Sequence, residues 1–464
     1  MRIGATYVRE QSCTVEVVCG IDYSQTMRTG LLFLMTLAAQ AQTPSDPTDV
    51  LARARDIVLS RVDRLPNYTC VQTINRSYFK PGVEPGSCDK MIGEKTKKPS
   101  NPQLEATDRL RLDVKVSEGT EVGAWAGADK FDSRSIVEIV GSGPIGTGPF
   151  GTLMSDIFSN NGASFQYMGE VSGDVAALLE YRFQIPLNSS HYFIRAGQDW
   201  VATGYDGQIW IDASSFEVKR LRVRTGELPR ETQSCEATSA VDYQIIKVGT
   251  GDALIPHVSV LHFLLRDGSE NESVTTYSNC HEFHGESTIH FEDMPETAAT
   301  NAKTAEARVI PAGVTVILTL ETPIDSDTAA AGDVIEAKVR KNVYFGKHKE
   351  IAIPAGALVR GRLTLMEHRV GDDGRFEIGI LLESIEINGS AMPFYAKLDR
   401  SQEIANAQRL ERGGLLHGAN VWLPPPGQSP MVGSFVFPTS NSRYVVPRGF
   451  EFRWLTLPPP PQKD

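Results

Sequence analysis

The chain has 464 residues, of which 41% are hydrophobic and 22% charged, so it can bury a sizeable core and is not expected to be disordered throughout. Its 57 acidic and 46 basic residues give a net charge of −11. This balance argues against a general nucleic-acid binder, because such proteins need clustered Lys and Arg to contact phosphates. We therefore expect a globular protein without a nucleic-acid partner.

A short apolar segment near the start has the pattern of a secretory signal peptide. A basic stretch from Met27 precedes an apolar run, and small residues follow at Ala39 and Ala41. The run is shorter than the roughly 20 residues that span a bilayer, so we expect no transmembrane segment after cleavage. We expect 27–41 to be the signal peptide and 1–26 an untranslated or non-structural extension. The alternative is a genuine extension with a buried apolar segment.

Four cysteines follow the predicted cleavage site, namely Cys70, Cys88, Cys235 and Cys280. An even number of cysteines in an exported chain favours disulfides. Four cysteines allow three pairings, and proximity in the sequence favours Cys70–Cys88 and Cys235–Cys280. Buried free thiols are the alternative.

Two helices are predicted in the first half of the chain. Asp46 and Pro47 can begin a helix that covers 49–65, and a second, shorter helix is expected over 152–158. The first apolar stripe consists of Leu51, Ile57, Val58 and Val62, and the second consists of Leu153, Met154, Ile157 and Phe158. Each stripe needs an apolar sheet face to cover it.

The sequence from Tyr68 to about residue 290 has the period of two that is typical of strands. Leu221 and Val223 alternate with Arg220, Arg222 and Arg224, as in a sheet that is solvated on one side. The dipeptide Asp206-Gly207 between two apolar runs predicts a hairpin turn.

A second β region follows a linker of small and polar residues. Ile310–Gly313 recurs as Ile353–Gly356 and more loosely as Val446–Gly449, and each copy predicts a turn followed by an alternating strand. Three unevenly spaced copies are too few for a solenoid, so a small barrel is the favoured interpretation.

The densest cluster of polar side chains that could bind a metal comprises His281, Glu282 and His284 beside Cys280. The spacing is not the helical HExxH pattern, and on a strand His281 and His284 would face opposite sides. We therefore predict neither a resident metal nor a cofactor. His281 and His284 remain weak metal candidates, and a secreted metal-dependent hydrolase that uses them with Glu282 is kept as an alternative function.

The glycine-rich stretch 141–151 lacks the Gly-Lys-Ser/Thr ending of a P-loop and the spacing of a dinucleotide fingerprint. A phosphate site, a mobile lid over a pocket and an ordinary surface loop remain open for it. Asp199, Asp206 and Asp212 could serve as paired carboxylates of a glycosidase, but turn chemistry explains them without catalysis.

The first β region resembles the periplasmic lipoprotein-carrier superfamily. The resemblance covers about 48–292 and is carried by the early amphipathic helix, the long antiparallel run and the stretch Asp206–Leu221. In that family an incomplete barrel folds round helices and holds acyl chains. The resemblance therefore implies an apolar cavity, for which the sequence suggests the lining Leu51, Val58, Val62, Leu153, Ile157 and Phe158. If the helices fill the barrel completely, these residues form only a stable core.

The second β region resembles the β-barrel domain of conjugation-channel outer-ring proteins over about 308–398. The residues that carry this are Ile310–Thr315, Asp325 with Ser326, Gly332 with Asp333, and Ile353–Gly361. The transmembrane and antenna helices of those channels are absent from the sequence. The resemblance therefore implies an envelope or interaction barrel rather than a channel.

These observations predict a mostly β protein, with an N-terminal antiparallel half-barrel plugged by helices and a C-terminal small β-barrel. We expect domains at 48–292 and 308–457, joined by a linker at 293–307 and followed by a Pro-rich tail at 458–464. The expected function is non-catalytic. The first domain would bind a lipid or acylated partner, and the second would dock to an envelope protein in the periplasm or outside the cell. A purely structural envelope protein is the main alternative.

Overall fold

The computed structural model describes residues 46–62, 67–97, 102–117, 120–128, 130–131, 136–140, 143–172, 177–196, 199–249, 251–283, 310–346, 350–371, 374–399, 432–438 and 441–460. These residues belong to one compact unit, 45–464. The predicted signal peptide at 27–41, the extension at 1–26 and the linker at 293–307 lie outside the described residues, so these three assignments stay predictions.

Four α-helices are described, namely α1 Pro47–Val62, α2 Cys88–Lys97, α3 Ile136–Val140 and α4 Thr152–Ser159. Short 3₁₀ turns cover Leu187–Ser189 and Arg230–Thr232. Helices α1 and α4 confirm the two predicted helices, except that residues 63–65 of the first prediction lie outside the described residues. The Asp46 carboxylate accepts a hydrogen bond from the Thr48 amide at 2.8 Å, which caps α1 as its sequence predicted.

The N-terminal region contributes twelve described strands, which alternate buried and exposed positions along much of their length. They are β1 Tyr68–Phe79, β2 Leu104–Ser117, β3 Thr120–Trp125, β4 Ser164–Ser172, β5 Ala177–Ile185, β6 Phe193–Ala196, β7 Asp199–Ala202, β8 Tyr205–Asp212, β9 Val218–Thr225, β10 Ser234–Val248, β11 Gly251–Leu265 and β12 Glu270–Glu282. Ten of these pair antiparallel in the order β4-β5-β8-β9-β10-β11-β12-β1-β2-β3. The other two, β6 and β7, form a separate hairpin.

The C-terminal region contributes another twelve described strands. They are β13 Thr315–Leu320, β14 Ile324–Asp325, β15 Val334–Val339, β16 Val343–Phe345, β17 Glu350–Ile353, β18 Leu358–Arg369, β19 Arg375–Ile387, β20 Ser390–Pro393, β21 Ala396–Leu398, β22 Val432–Pro438, β23 Val445–Val446 and β24 Glu451–Thr456. The chain is therefore mostly β, as predicted.

The main C-terminal pairing runs antiparallel through β22-β19-β18-β15-β13-β24-β21. Among the described strands no pairing joins β21 to β22, and no closed barrel is found. Gly433 of β22 nevertheless lies beside Leu398 of β21, so the two end strands are neighbours, and closure of this sheet into a barrel stays a prediction. The long-range antiparallel pair β14–β23 and the hairpin β16–β17 are separate from it.

The two β regions are joined by direct strand pairing. The start of β2 pairs with the end of β18 through Asp108 and Glu367. Next to this pairing, the Arg111 amide donates to the Ala331 carbonyl at 2.7 Å, and the Arg111 side chain pairs with Asp333. The two regions therefore share backbone hydrogen bonds as well as side-chain contacts.

Both predicted helices lie over one part of the N-terminal sheet. Buried residues of α1 and α4 form a core with β5, β8, β9 and β10, in which Ile157, Ile209 and Leu221 are fully buried. The arginines that alternate with Leu221 and Val223 are exposed, so the predicted two faces of β9 are confirmed.

All four cysteines form disulfides, but the predicted pairing is wrong. The bonds are Cys70–Cys280, with Cα atoms 4.1 Å apart, and Cys88–Cys235, with Cα atoms 5.2 Å apart. The reason is the strand order, because β1 pairs with the distant β12 and this places Cys70 beside Cys280. Proximity in sequence is a poor guide to pairing in a sheet of this topology.

The hairpin predicted at Asp206-Gly207 is also absent. Both residues lie inside β8, which pairs with β5 on one side and β9 on the other. A Cβ at Gly207 would come within 2.0 Å of the Arg222 carbonyl oxygen. The glycine therefore permits close packing of two strands, whereas the two Asp206 carboxylate oxygens pair with Arg182 and Arg224.

The three sequence echoes in the C-terminal region behave as predicted. Gly313, Gly356 and Gly449 all have positive φ angles between 78° and 87°. Each stands in a turn that precedes a strand, respectively β13, β18 and β24. The left-handed backbone explains why all three copies end in glycine.

Candidate ligand-binding groove

A groove of about 940 Å³ lies on the face of the N-terminal sheet that carries α1 and α4. Its position follows from the strand register. Ser239 on β10 lies opposite both Leu261 on β11 and Val223 on β9, so these three side chains share a face. Val223 belongs to the core under the two helices, whereas Leu261 lines the groove. The groove thus continues the same face beyond the helices.

The groove has an apolar floor and walls from three other elements. Its floor includes Leu261, Phe263 and Leu265 of β11, which project on one side because they alternate along the strand. The walls come from α4, from the glycine-rich loop 143–148 and from the hairpin β6–β7. Strands β10 and β12 complete the floor with Ser234, Ser239 and Asn271.

Two aromatic side chains stand exposed on the hairpin wall. Phe193 on β6 is 50% exposed and Trp200 on β7 is 51% exposed, and both line the groove. The register places Trp200 opposite Arg195, which shares a face with Phe193. Large apolar side chains held in this way at an opening are typical of a binding surface.

Part of the groove lining is polar. Asp156 of α4 lies 2.7 Å from Nδ1 of the exposed His191 and accepts a hydrogen bond from the Tyr205 hydroxyl at 3.0 Å. Burial, together with the nearby Asp156, raises the pKa of Tyr205, so its hydroxyl remains a donor at neutral pH. The arrangement fixes Asp156 and gives the groove a polar and an apolar part.

The glycine-rich loop is held by a carboxylate beneath it. The amides of Gly148 and Phe150 donate to the two oxygens of Glu121, at 2.9 and 3.1 Å. The Phe150 ring is buried and makes edge contacts with Tyr68 and Tyr277, whose ring centroids lie 6.0 and 5.1 Å away. Desolvation raises the pKa of Glu121 to about 7, although the two amides oppose this shift.

The six predicted lining residues are divided between the groove and the core. Leu153 lines the groove and also packs against the core. Val58, Ile157 and Phe158 are buried in the core under the helices, and Leu51 packs against it at its edge. The side chain of Val62 lies outside the described part. The two helical stripes therefore pack together in the core. Of the six predicted residues, Leu153 is the one whose described side chain also lines the groove.

The residues of the suspected metal cluster do not form a metal centre within the described part of the chain. His281 is the penultimate residue of β12, where its Nε2 lies 3.0 Å from the Thr69 hydroxyl and its Nδ1 lies 2.9 Å from the Asn279 carbonyl. Cys280 is bonded to Cys70, and His284 lies outside the described residues. No group of three or more His, Cys, Asp or Glu among the described side chains could hold a metal ion.

Most of the groove was missed by sequence reasoning. The available signal was β11, where Leu261, Phe263 and Leu265 alternate with Leu264. Leu264 packs on the other side of the strand, in the core under α2 with Met91. A strand that is apolar on both faces has to be covered on both sides. The contributions of loop 143–148 and hairpin β6–β7 depend on distant parts of the chain meeting in space.

Within the described residues, no helix has the length and apolar character needed to cross a membrane.

Comparison with known proteins gives limited likenesses. No protein-family model matches the sequence, and no match is found among curated proteins. A structure of ComB10 from the Com type IV secretion system of Helicobacter pylori is 15% identical, with a TM-score of 0.18 over 32% of this chain and 86% of that one. A putative outer membrane lipoprotein-sorting domain from Vibrio parahaemolyticus is 10% identical, with a TM-score of 0.22 over 50% and 89%.

The lipoprotein LppX of Mycobacterium tuberculosis is 12% identical, with a TM-score of 0.19 over 52% of this chain and 99% of that one. At such TM-scores these likenesses carry no argument about this chain. No residue role, ligand or partner is transferred from them.

Proposed function

We propose that this chain binds an elongated apolar ligand, a lipid or the acyl chain of an acylated partner, in the groove over β10, β11 and β12. The observation that supports this most strongly is the volume of about 940 Å³ above an apolar floor. Ligand sites in proteins commonly measure about 300–1,000 Å³ and are lined mainly by apolar side chains, with a few polar groups that orient the ligand.

The physical basis of such binding is removal of apolar surface from water. Each methylene that moves from water to the floor at Leu261 and Phe263 gains about 0.8 kcal/mol. The exposed rings of Phe193 and Trp200 also lose contact with water when a chain lies against them. The polar part of the lining at Asp156 and His191 suits the solvated end of an amphiphile, because it would be costly to cover with hydrocarbon.

We propose further that the protein is exported and acts at the cell envelope without catalysing a reaction. The two disulfides support an oxidising compartment such as the periplasm or the cell exterior. In this proposal 48–292 is the binding domain, and 308–457 docks to an envelope protein. The exposed side chains of Tyr344, Phe345 and Ile351 on β16 and β17 support a contact surface there.

The test is titration of the purified chain with N-phenyl-1-naphthylamine, an uncharged apolar probe whose fluorescence rises in apolar surroundings. We expect saturable binding that unlabelled fatty acid displaces. Phe193→Ala and Trp200→Ala should each weaken binding about tenfold, equivalent to about 1.4 kcal/mol.

Phe345→Ala is the matched control, because this phenylalanine is 51% exposed on a two-stranded hairpin outside the groove. Its affinity for the probe should equal that of the unaltered chain. Equal losses in Phe193→Ala and Phe345→Ala, or no saturable binding, would contradict the proposal.

The buried apolar core beneath α1 and α4 supports a second candidate, a structural envelope protein without a ligand. Mass spectrometry of protein purified from its native envelope distinguishes the two. A stoichiometric co-purifying lipid supports the ligand-binding function, and its absence together with a failed titration supports the structural one.

A further inference from the structure

We propose that the groove selects amphiphiles with an anionic head group, a carboxylate or a phosphate, and that Arg195 on the hairpin β6–β7 contacts this group. The inference rests on the groove being a ligand site, as proposed above. It deepens that proposal because it names the charge of the ligand, whereas an apolar floor alone would bind a hydrocarbon chain with any head group.

Arg195 lies on the groove wall between two half-exposed aromatic side chains. The register of the hairpin pairs Arg195 with Trp200, and Phe193 stands two residues earlier on the same face of β6. All three residues line the groove. The two rings are therefore placed to contact the hydrocarbon of a ligand whose charged group meets Arg195.

The hairpin keeps its acidic side chain away from this face. Asp199 of β7 pairs with Ala196, whereas the neighbouring pair joins Trp200 to Arg195. Side chains alternate along a strand, so Asp199 and Arg195 belong to opposite faces of the hairpin. Asp199 is also not among the described residues that line the groove. The hairpin thus presents its cation, but not its carboxylate, to the groove.

The carboxylate that does line the groove already has partners within the protein. One oxygen of Asp156 lies 2.7 Å from Nδ1 of His191, and the other accepts a hydrogen bond from the Tyr205 hydroxyl at 3.0 Å. Among the described lining residues, those whose side chains can carry a charge near neutral pH are Asp156, His191 and Arg195. An incoming anion therefore meets a carboxylate whose charge is compensated by protein donors.

A guanidinium suits this role for physical reasons. It has several N–H donors in a planar arrangement that matches carboxylate and phosphate oxygens, so it can bond a ligand and keep contacts within the protein. It is also more weakly hydrated than an ammonium, so nearby hydrocarbon costs it less. When an acyl chain covers Phe193 and Trp200, water leaves the surroundings and the attraction between opposite charges becomes stronger.

The test compares amphiphiles that share one chain and differ in head group, by displacement of N-phenyl-1-naphthylamine from the full protein. The probes are dodecanoate, dodecyl phosphate, dodecanol and dodecyltrimethylammonium, each below the concentration at which it aggregates, at about pH 8, where the carboxylate is ionised. At least one anion should bind about fivefold more tightly than dodecanol. The tighter anion shows whether a fatty-acid carboxylate or a lipid phosphate is the better match.

The net charge of the protein makes this comparison selective. Because the chain carries a net charge of −11, non-specific attraction would favour dodecyltrimethylammonium over both anions. A preference for an anion therefore reports a local cation. Tighter binding of dodecyltrimethylammonium than of either anion would overturn the inference.

Substitution of Arg195 tests which residue provides that cation. In Arg195→Gln, the ratio of dodecanoate affinity to dodecanol affinity should fall to about one, and Arg195→Lys should restore a preference for the anion. The ratio cancels any lost apolar contact, because both probes have the same chain. Arg222→Gln is the matched control, since Arg222 is exposed on the face of β9 opposite the buried Leu221, and it should keep the full ratio. A ratio unchanged in Arg195→Gln, or lost equally in Arg222→Gln, would overturn the inference.

Binding of the uncharged probe separates this inference from the ligand proposal. If N-phenyl-1-naphthylamine binds and neither anion binds better than dodecanol, the head-group inference fails and the ligand proposal stands. If neither this probe nor any of the amphiphiles binds saturably, the ligand proposal itself fails. These measurements on the unaltered chain decide both questions even if a variant does not fold.

Discussion

Two neighbouring side chains of α4 should respond differently to truncation. Ile157 is fully buried in the core under α1 and α4, whereas Leu153 lines the groove and is only partly buried. Ile157→Ala removes a fully packed side chain and leaves a cavity, which costs about 2–5 kcal/mol of unfolding free energy. Because the lost contacts are in the core, affinity for the apolar probe should stay within about twofold of the unaltered chain.

Leu153→Ala should weaken probe binding more than Ile157→Ala does and destabilise the fold less. Its side chain contributes part of its surface to the groove, so truncation removes contact worth about 1 kcal/mol of binding, or about fivefold in affinity. The loss of stability should be smaller than in Ile157→Ala, because part of the leucine surface already faces the groove. Both substitutions keep a residue of high helix propensity, so the helix itself should persist.

The assay pairs urea unfolding with probe titration on the same protein samples. Unfolding gives the stability change at a constant m-value, and titration gives the dissociation constant. The reasoning is refuted if Ile157→Ala weakens the probe more than Leu153→Ala at little cost in stability. That result would place the ligand beneath the helices, among the buried apolar side chains of the core and not in the groove.

Three further predictions concern the disulfides, Gly207 of β8 and the partly buried carboxylate of Glu121. Non-reducing peptide mapping should recover peptides linked through Cys70–Cys280 and Cys88–Cys235. Replacing both Cys88 and Cys235 with serine should lower the free energy of unfolding by about 4–5 kcal/mol, because this bond closes a loop of 147 residues. Gly207→Ala should destabilise by about 1–3 kcal/mol in urea unfolding, because its Cβ would meet a backbone carbonyl. The pKa of the Glu121 carboxyl is raised from 4.5 to about 7 in the folded chain, so its protonated form stabilises the fold below pH 4.5. This contribution is lost as the pH rises towards 7, and the free energy of unfolding of the unaltered chain should fall by about 2–3 kcal/mol over that window. The free energy of unfolding of Glu121→Gln should not show this fall.

Local periodicity predicted the parts of the fold that depend on local physics. Leu221 and Val223 are buried between exposed arginines because side chains alternate along a strand whatever its partners are. The turns at Gly313 and Gly356 were predictable for the same reason, since the left-handed backbone is a local requirement.

Features that depend on which distant strands meet could not be predicted in this way. The partner of Cys70 is set by the pairing of β1 with β12, and the role of Gly207 by its position between β5 and β9. The groove depends on strand order in the same way, because its walls come from α4, loop 143–148 and hairpin β6–β7 and its floor from β10, β11 and β12. Sequence indicated the general need for covered apolar faces, but the strand order decides which faces the helices cover and which remain open.

The most direct test of the central claim is photo-crosslinking with a fatty acid that carries a diazirine in its chain, followed by mapping of labelled peptides. The ligand-binding account predicts saturable labelling of the groove-lining segments 143–153, 191–200 and 261–265, which unlabelled fatty acid suppresses. Labelling confined to the exposed hairpin at Tyr344 and Phe345, or labelling that does not saturate, would contradict it.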